Sequence, residues 1–389
     1  MSFDKPYEGL RVVDLSQGVA GPYCAMLLGL HGAEVVKIEP LEGDWSRQLM
    51  PAYGDNTAFS VAANIGKKSI ALDIKNDAGK EIVDRLVAGA DIFLQGFRPG
   101  VIERLGFSYD RLGPLFPKLI YVSVSGFGQR GPLRDKPAMD PVLQAFTGFM
   151  SENHGPDGAP HRTPNIVNDM ATALYAQQAV AAALFARKDD GRGRHIEVSL
   201  MEAAANLQAV RLMSGHRDGP FKVSMVPNGV FETKDGWIQI VVIRDSDFAE
   251  LCEALGRPGL ADDPDFATAA ARLKNGRELE RRIGEVVRTK ENDYWRKKLT
   301  EASVQNEVVQ DYQQFVEHPH VKETGLISWL VQPGSETPWA VPNVPGAPNY
   351  HSNDPIAPRV GQHSREILNS LGYSALEIDN LVKESIVSD

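Results

Sequence analysis

Leu10-Arg11-Val12-Val13-Asp14-Leu15, Gly18-Val19-Ala20-Gly21-Pro22 and Ala33-Glu34-Val35-Val36-Lys37-Ile38-Glu39 read together as a strand, a tight turn into a helix, and a second strand. Apolar residues run up to Asp14, Pro22 stands where a first helical residue needs no N–H, and Gly32 stops the helix before the next apolar run. A Rossmann βαβ unit has this form. Its dinucleotide version adds G-x-G-x-x-G, so that backbone can approach a pyrophosphate, and an acid about 20 residues further on for the ribose. Glu39 stands at the place of that acid, but the glycines are only Gly18 and Gly21, and Val19 and Pro22 would crowd a pyrophosphate. The stretch predicts the architecture without a nicotinamide or flavin site.

Outward from it, residues 10–200 alternate between strand-like and helix-like runs, the pattern of a parallel sheet covered by helices. Further candidate strands are Ser69-Ile70-Ala71-Leu72-Asp73, Asp91-Ile92-Phe93-Leu94-Gln95, Leu119-Ile120-Tyr121-Val122-Ser123-Val124 and His195-Ile196-Glu197-Val198-Ser199. Helical spacing of apolar residues marks 77–88, and an alanine-rich helix is expected over 169–186. A helix at 200–213 leads into Gly215-His216-Arg217-Asp218-Gly219-Pro220, a linker composition. Beyond it, Lys234-Asp235-Gly236 between Val230-Phe231-Glu232-Thr233 and Trp237-Ile238-Gln239-Ile240-Val241-Val242 signals a hairpin. Helices follow over 247–299, residues 333–358 should be irregular, and a final helix at 364–371 should pack back on the first lobe. The chain is thus expected to be α/β: a Rossmann-like large domain with a parallel sheet at 1–200, completed by 330–389, a linker at 201–225, and a smaller α+β domain at 226–329.

At 389 residues the chain exceeds what one core usually serves, and 42% hydrophobic with 24% charged residues is the composition of a folded, soluble protein. A net charge of −10 argues against nucleic acid as a partner, so any anionic ligand must find a local basic patch. Cys24 and Cys252 lie far apart without C-x-x-C spacing, which excludes a disulfide framework and makes the cytoplasm the expected compartment. No signal-like core and no run of membrane-span length occur, so no membrane partner is expected. None of the nine histidines falls at metal-ligand spacing on a helix, and no metal is expected. Gly66-Lys67-Lys68-Ser69 has the end of a P-loop, but Val61 stands where its first glycine is required. Ser123-Val124-Ser125-Gly126 likewise lacks the first glycine of a nucleophile elbow.

Several segments, in order along nearly the whole chain, resemble the class III (CaiB/BaiF-type) CoA-transferases, a family that includes formyl-CoA transferases and the related α-methylacyl-CoA racemases. They are Gly18-Val19-Ala20-Gly21-Pro22; Gly32-Ala33-Glu34-Val35-Val36-Lys37-Ile38-Glu39-Pro40; Asn64-Ile65-Gly66-Lys67-Lys68-Ser69-Ile70-Ala71-Leu72-Asp73; Phe97-Arg98-Pro99-Gly100-Val101-Ile102-Glu103-Arg104-Leu105-Gly106; and Ser125-Gly126-Phe127-Gly128. Gly191-Arg192-Gly193-Arg194-His195-Ile196-Glu197-Val198-Ser199-Leu200 and Ala357-Pro358-Arg359-Val360-Gly361-Gln362-His363-Ser364 extend the match.

The resemblance implies an aspartate nucleophile at Asp169, within Asn165-Ile166-Val167-Asn168-Asp169-Met170. Taken alone, an acid before a helix is ordinarily a cap, and the two roles are compatible because a helix N-terminus favours an ionised carboxylate. By family position, CoA contacts fall at Val19, Ala20, Leu72, Lys75, Phe97, Arg98, Val101, Arg104 and Leu105, with Lys75 and Arg104 meeting phosphates. Core packing is the plain alternative for Leu72, Val101 and Leu105, and a solvated charge for Lys75 and Arg98.

CoA is then a substrate and product, no cofactor is permanently bound, and the partners are an acyl-CoA, a small carboxylic acid and a second copy of the chain. The family forms interlocked, ring-like homodimers with each site between the large lobe of one subunit and the small lobe of the other. Where the racemases carry a proton-moving histidine, this chain has Met139, followed by Asp140, an acid that could orient the acceptor, tune Asp169 or cap a helix. A 2-methylacyl-CoA racemase, or a non-catalytic CoA-binding protein, are the alternatives. Ser224-Met225-Val226-Pro227-Asn228-Gly229 is shorter than the glycine-rich flap of formyl-CoA transferases. Val19 replaces an active-site glutamine there, and Gly96 an asparagine. These departures point away from oxalate and toward a longer acid, with succinyl-CoA as donor.

Overall fold

The opening apolar run becomes strand β1 (Arg11–Leu15), with all but its first residue buried, in the computed structural model, which describes residues 5–155, 157–219, 223–351 and 356–389. Helix α1 (Ala20–Leu30) follows, then strand β2 (Glu34–Glu39), pairing parallel to β1. Pro22 is the third residue of α1 rather than the first, because the turn at Gly18 already starts the helix at Ala20. Strands β3 (Lys68–Leu72), β4 (Ile92–Gln95), β5 (Ile120–Ser125) and β6 (Arg194–Ser199) continue the sheet, and a short strand β7 (Val387–Ser388) closes one edge. The order is β7-β3-β2-β1-β4-β5-β6, parallel throughout except for β7. From β3 to β6 this is the 3-2-1-4-5-6 order of a doubly wound sheet, whose strand order reverses between β1 and β4.

Neighbouring residues of a strand point to opposite faces, so the sheet divides the core in two. On one face Val12, Ile92, Leu94, Ile120 and Val122 pack against α1 and the long helix at 167–190. Ala173 and Ala176 are fully buried there, small enough to let the two helices approach closely. On the other face Val13, Leu15, Phe93 and Tyr121 meet helix α2 (Asp77–Ala88) and two C-terminal helices, Ser364–Ser370 and Ala375–Lys383. The helix at 375–383, after the turn at Gly372, and the two-residue strand β7 escape the sequence reading because each is short. Within the segment expected to be irregular, Trp339–Pro342 forms a strand, pairing antiparallel with Ile327–Leu330. That hairpin has only one partner strand, so the proline at its end costs no ladder bond.

By backbone contacts the chain divides into one unit of residues 1–218 with 325–389 and another of residues 219–324. The second holds a three-stranded antiparallel sheet, Gln305–Val308, Trp237–Val241 and Asn228–Glu232, with the hairpin turn closed by Thr233 N–H to Gly236 O at 2.9 Å. Helices Asp245–Ala254, Gly276–Val287 and Asn292–Glu301 cover it over Phe231, Ile238, Ile240, Phe248, Leu279 and Trp295. Among the described residues no helix is long and apolar enough to cross a membrane.

Candidate active site

Two features stand out in the first unit: a cleft at the carboxyl ends of the parallel strands and a pair of carboxylates, Asp140 and Asp169. The cleft, about 370 Å³, is lined from the end of β1 (Leu15, Gln17), the end of β2 (Ile38 to Glu42), the end of β3 (Leu72 to Lys75) and the segment after β4 (Phe97, Val101, Leu105), which includes the short helix α3 (Val101–Leu105). This is the crevice outside the strand ends where doubly wound sheets take ligands. Five of the nine residues expected to contact CoA, Leu72, Lys75, Phe97, Val101 and Leu105, line it together. Arg98 and Arg104 are exposed on the segment bordering it, and neither they nor Lys75 form an ion pair among the described residues. Three free cations near one cleft can bind phosphate in an otherwise acidic protein. Val19 and Ala20 do not line the cleft: both are buried at the start of α1. Gln17 and the Pro40-Leu41-Glu42 stretch were not anticipated. Their signal was positional, since Gln17 follows β1, which flanks the point where the order reverses, and Pro40 directly follows its neighbour β2.

Glu39 cannot serve a ribose. Arg47 donates to it twice (Nε to Oε2 2.7 Å, Nη2 to Oε1 2.9 Å), and Ser69 Oγ donates to Oε1 at 2.7 Å. Lys67 is equally committed, fully buried against Asp14 (2.8 Å), Pro22 O (2.7 Å) and Asn64 Oδ1 (3.0 Å). Beside it Lys37 pairs with Asp44 (2.9 Å) and donates to Ser16 O, while Asp44 accepts from Gly18 N–H. Burial pushes the Lys67 pKa down to about 8, against the pull of Asp14, so the cation persists near neutral pH. These charges hold the turn that launches α1. Gly18 is fixed there twice over, by a φ of +82° and by the Trp45 ring 2.5 Å from where a Cβ would stand.

That turn matters because of what it faces. Two later helices come to it, α4 (Asp140–Phe146) and the long α5 (Val167–Asp190). Helix α1 begins without a side-chain cap of its own, since Val19 supplies none. The Ala20 N–H instead lies close enough to the carboxyl of Asp169, the third residue of α5, to lower its pKa. Helix α5 also lacks a cap of its own, because Ile166 precedes it. Its free donors, Asn168 N–H (2.7 Å) and Asp169 N–H (3.3 Å), go to Asp140 Oδ2 from α4. Asp169 therefore does not cap its own helix; Asp140 does so from outside.

Burial, reinforced by the nearby Asp140 charge, pushes the Asp169 pKa up to about 7, and the Ala20 N–H offsets only part of this. Asp140 is itself buried. Met139, immediately before it, is largely exposed and carries no group that can transfer a proton. Gly126 abuts this segment, where any side chain would run into Ala138. Gln144, missed in the sequence, is buried one turn along α4 and donates to Asp140 Oδ1 at 2.6 Å. Among the described residues, no group of three His, Cys, Asp or Glu side chains could hold a metal ion.

The family model described as CoA-transferase family III matches residues 7–364. A succinyl-CoA:glutarate CoA-transferase of Homo sapiens is 30% identical, over 98% of this chain and 90% of that protein. An acetyl-CoA:oxalate CoA-transferase of Acetobacter aceti is 35% identical, over 77% of this chain and 79% of its own length. Among solved structures, a CAIB/BAIF family protein from Brucella suis superposes with a TM-score of 0.83 at 28% identity, covering 95% of this chain and 100% of that one.

Proposed function

Since the chain belongs to CoA-transferase family III, we propose that it moves CoA from an acyl-CoA to a carboxylic acid with Asp169 as the covalent nucleophile. The observation that carries this reading is the Asp169 carboxyl at the uncapped N-terminus of α1, at the β1–α1 turn whose Gln17 lines the cleft, although Asp169 itself does not line it. An ionised Asp169 oxygen attacks the donor thioester carbonyl, the C–S bond breaks, and CoA leaves as thiolate. The product is an anhydride between Asp169 and the donor acid. The thiolate then attacks the Asp169 carbonyl and expels the donor carboxylate, leaving an aspartyl-CoA thioester. The acceptor carboxylate opens that thioester by the same two steps in reverse order, which regenerates Asp169 and releases the new acyl-CoA. No water is consumed.

Each tetrahedral centre places negative charge on an oxygen. The Ala20 N–H and the positive end of α1 stand where they would stabilise it, a contribution usually large in acyl transfer. Lys75, Arg98 and Arg104 would meet the phosphates, and Leu72, Phe97, Val101 and Leu105 the apolar parts of CoA. Methionine at position 139 leaves a racemase without one of its two bases. A dicarboxylate acceptor with succinyl-CoA as donor is the substrate pair proposed, on the short segment 224–229 and the named succinyl-CoA relatives. The working form proposed is an interlocked homodimer in the cytoplasm, its large Rossmann-like domain formed by 1–200 and 330–389 and its small domain by 226–329. Exposed Leu174, Phe185, Val210 and Met213, on helices of the first unit, are the kind of apolar surface a partner would cover.

An exchange assay with succinyl-CoA and a panel of carboxylic acids tests the reading. Asp169→Ala should lose at least about a thousandfold in turnover while retaining CoA affinity; unchanged turnover would refute the mechanism.

A further inference from the structure

Every polar atom of the Gln144 side chain is engaged. Its Nε2 donates to Asp140 Oδ1 at 2.6 Å, to Thr163 O at 3.2 Å and to Asn165 O at 3.3 Å, while its Oε1 accepts from Thr163 N–H at 3.0 Å. The residue is 1% exposed, so none of these bonds has water as a ready substitute. Asp140 and Gln144 lie four apart on α4, hence on one face, and Thr163 and Asn165 belong to the strand-free segment that leads into α5. The other oxygen of Asp140 accepts Asn168 and Asp169 N–H, and Asn168 Nδ2 returns a bond of 3.3 Å to Asp140 O.

From this network we infer that Gln144 is a positioning residue of the transfer reaction: one amide fixes the rotation of the Asp140 carboxylate and clamps the entry segment of α5, so that Asp169 is presented at a single height and angle. The inference rests on the reading of Asp169 as nucleophile. The clamp is specific to an amide. Its NH2 must face the Asp140 carboxylate while its oxygen faces the Thr163 N–H, and no other side chain of that length offers a donor and an acceptor on one flat group whatever the pH, since glutamate does so only when protonated. Without it Asp140 Oδ1 loses its side-chain donor, and the first turn of α5 is tied to α4 only through Oδ2 and the Asn168 Nδ2 bond to Asp140 O, neither of which fixes the rotation of the carboxylate from its other side. Reaction at Asp169 demands near-attack geometry, whereas CoA is gripped by the cleft at the ends of β1 to β4. A defect at Gln144 should therefore appear in kcat rather than in the KM for acyl-CoA.

The test uses two variants of the full chain. Gln144→Ala should lower kcat by about 10- to 100-fold with the KM for succinyl-CoA within about threefold of wild type. It should also slow single-turnover formation of the covalent adduct on Asp169 by the same factor. Gln144→Glu, nearly isosteric and so independent of any void left by alanine, sets an oxygen against Asp140 Oδ1. The contact then survives only while the two carboxyls share a proton. That variant should approach wild-type kcat at pH 5.5 after normalisation and lose it as the pH rises to 8, a descending limb absent from wild type. Gln144→Ala with wild-type kcat and adduct rate, or Gln144→Glu with the wild-type pH profile, would overturn the inference while leaving the nucleophile in place. A wild-type chain that forms no adduct on Asp169 would overturn the functional reading first and this one with it.

Discussion

Two carboxyl groups in this site play unlike parts, and their surroundings decide which. Asp140 accepts two backbone N–H groups and an amide, whereas Asp169 faces one backbone N–H and the charge of Asp140. A group whose folded pKa is about 7 is only part ionised at neutral pH. In the proposed mechanism the ionised form is the nucleophile, so kcat/KM should rise with pH through an acidic limb centred near 7 and level off above it. Asp140→Asn keeps an acceptor for the helix donors but removes the charge, so the limb should move to lower pH; a limb that stays in place would show that Asp140 does not set it. The sequence offered Asp169 and Asp140 as candidates through family position. It could not rank their acidities, because the balance depends on burial and on partners far away in the chain.

Helix ends without local caps organise the site. Helices α1 and α5 each start after an aliphatic residue, Val19 and Ile166, whose side chain cannot accept a hydrogen bond, and each start faces an acid from another element. Such uncapped starts are visible in a sequence, and they ask for an acceptor without saying which one answers. The strand-turn-helix-strand opening was legible because hydrophobic period, glycine and proline all agreed there. The role of Lys67 was not legible, since a buried ion pair with Asp14 and a phosphate ligand can share one local sequence. Lys67→Met should leave Asp14 buried without its cation and cost about 3–5 kcal/mol in chemical denaturation. A loss below about 1 kcal/mol would mean that the network beneath the α1 turn is not what holds it.

Across the molecule, the 3-2-1-4-5-6 strand order gathers residues from 15 to 105 into one cleft, and the crossing to α5 brings position 169 to the turn at 18–20. Alternating strand and helix patterns were enough to expect a parallel sheet, and family motifs were enough to expect CoA. The short C-terminal strand on β3 was beyond them, because two residues carry no period and its pairing is set by the sheet edge it meets. If the proposed assembly is right, sedimentation should give twice the chain mass of 42.6 kDa. Dilution should not dissociate it, since interlocked chains part only by unfolding; a monomer at micromolar concentration would refute that form.

The central claim is a covalent bond at one oxygen of Asp169. Succinyl-CoA added without acceptor, followed by digestion and mass analysis, should show a CoA- or acyl-dependent mass increase confined to the peptide carrying Asp169. Hydroxylamine should convert that adduct to a hydroxamate at the same residue. An unmodified Asp169 peptide in a chain that still exchanges CoA, or an adduct on a different side chain, would contradict the account.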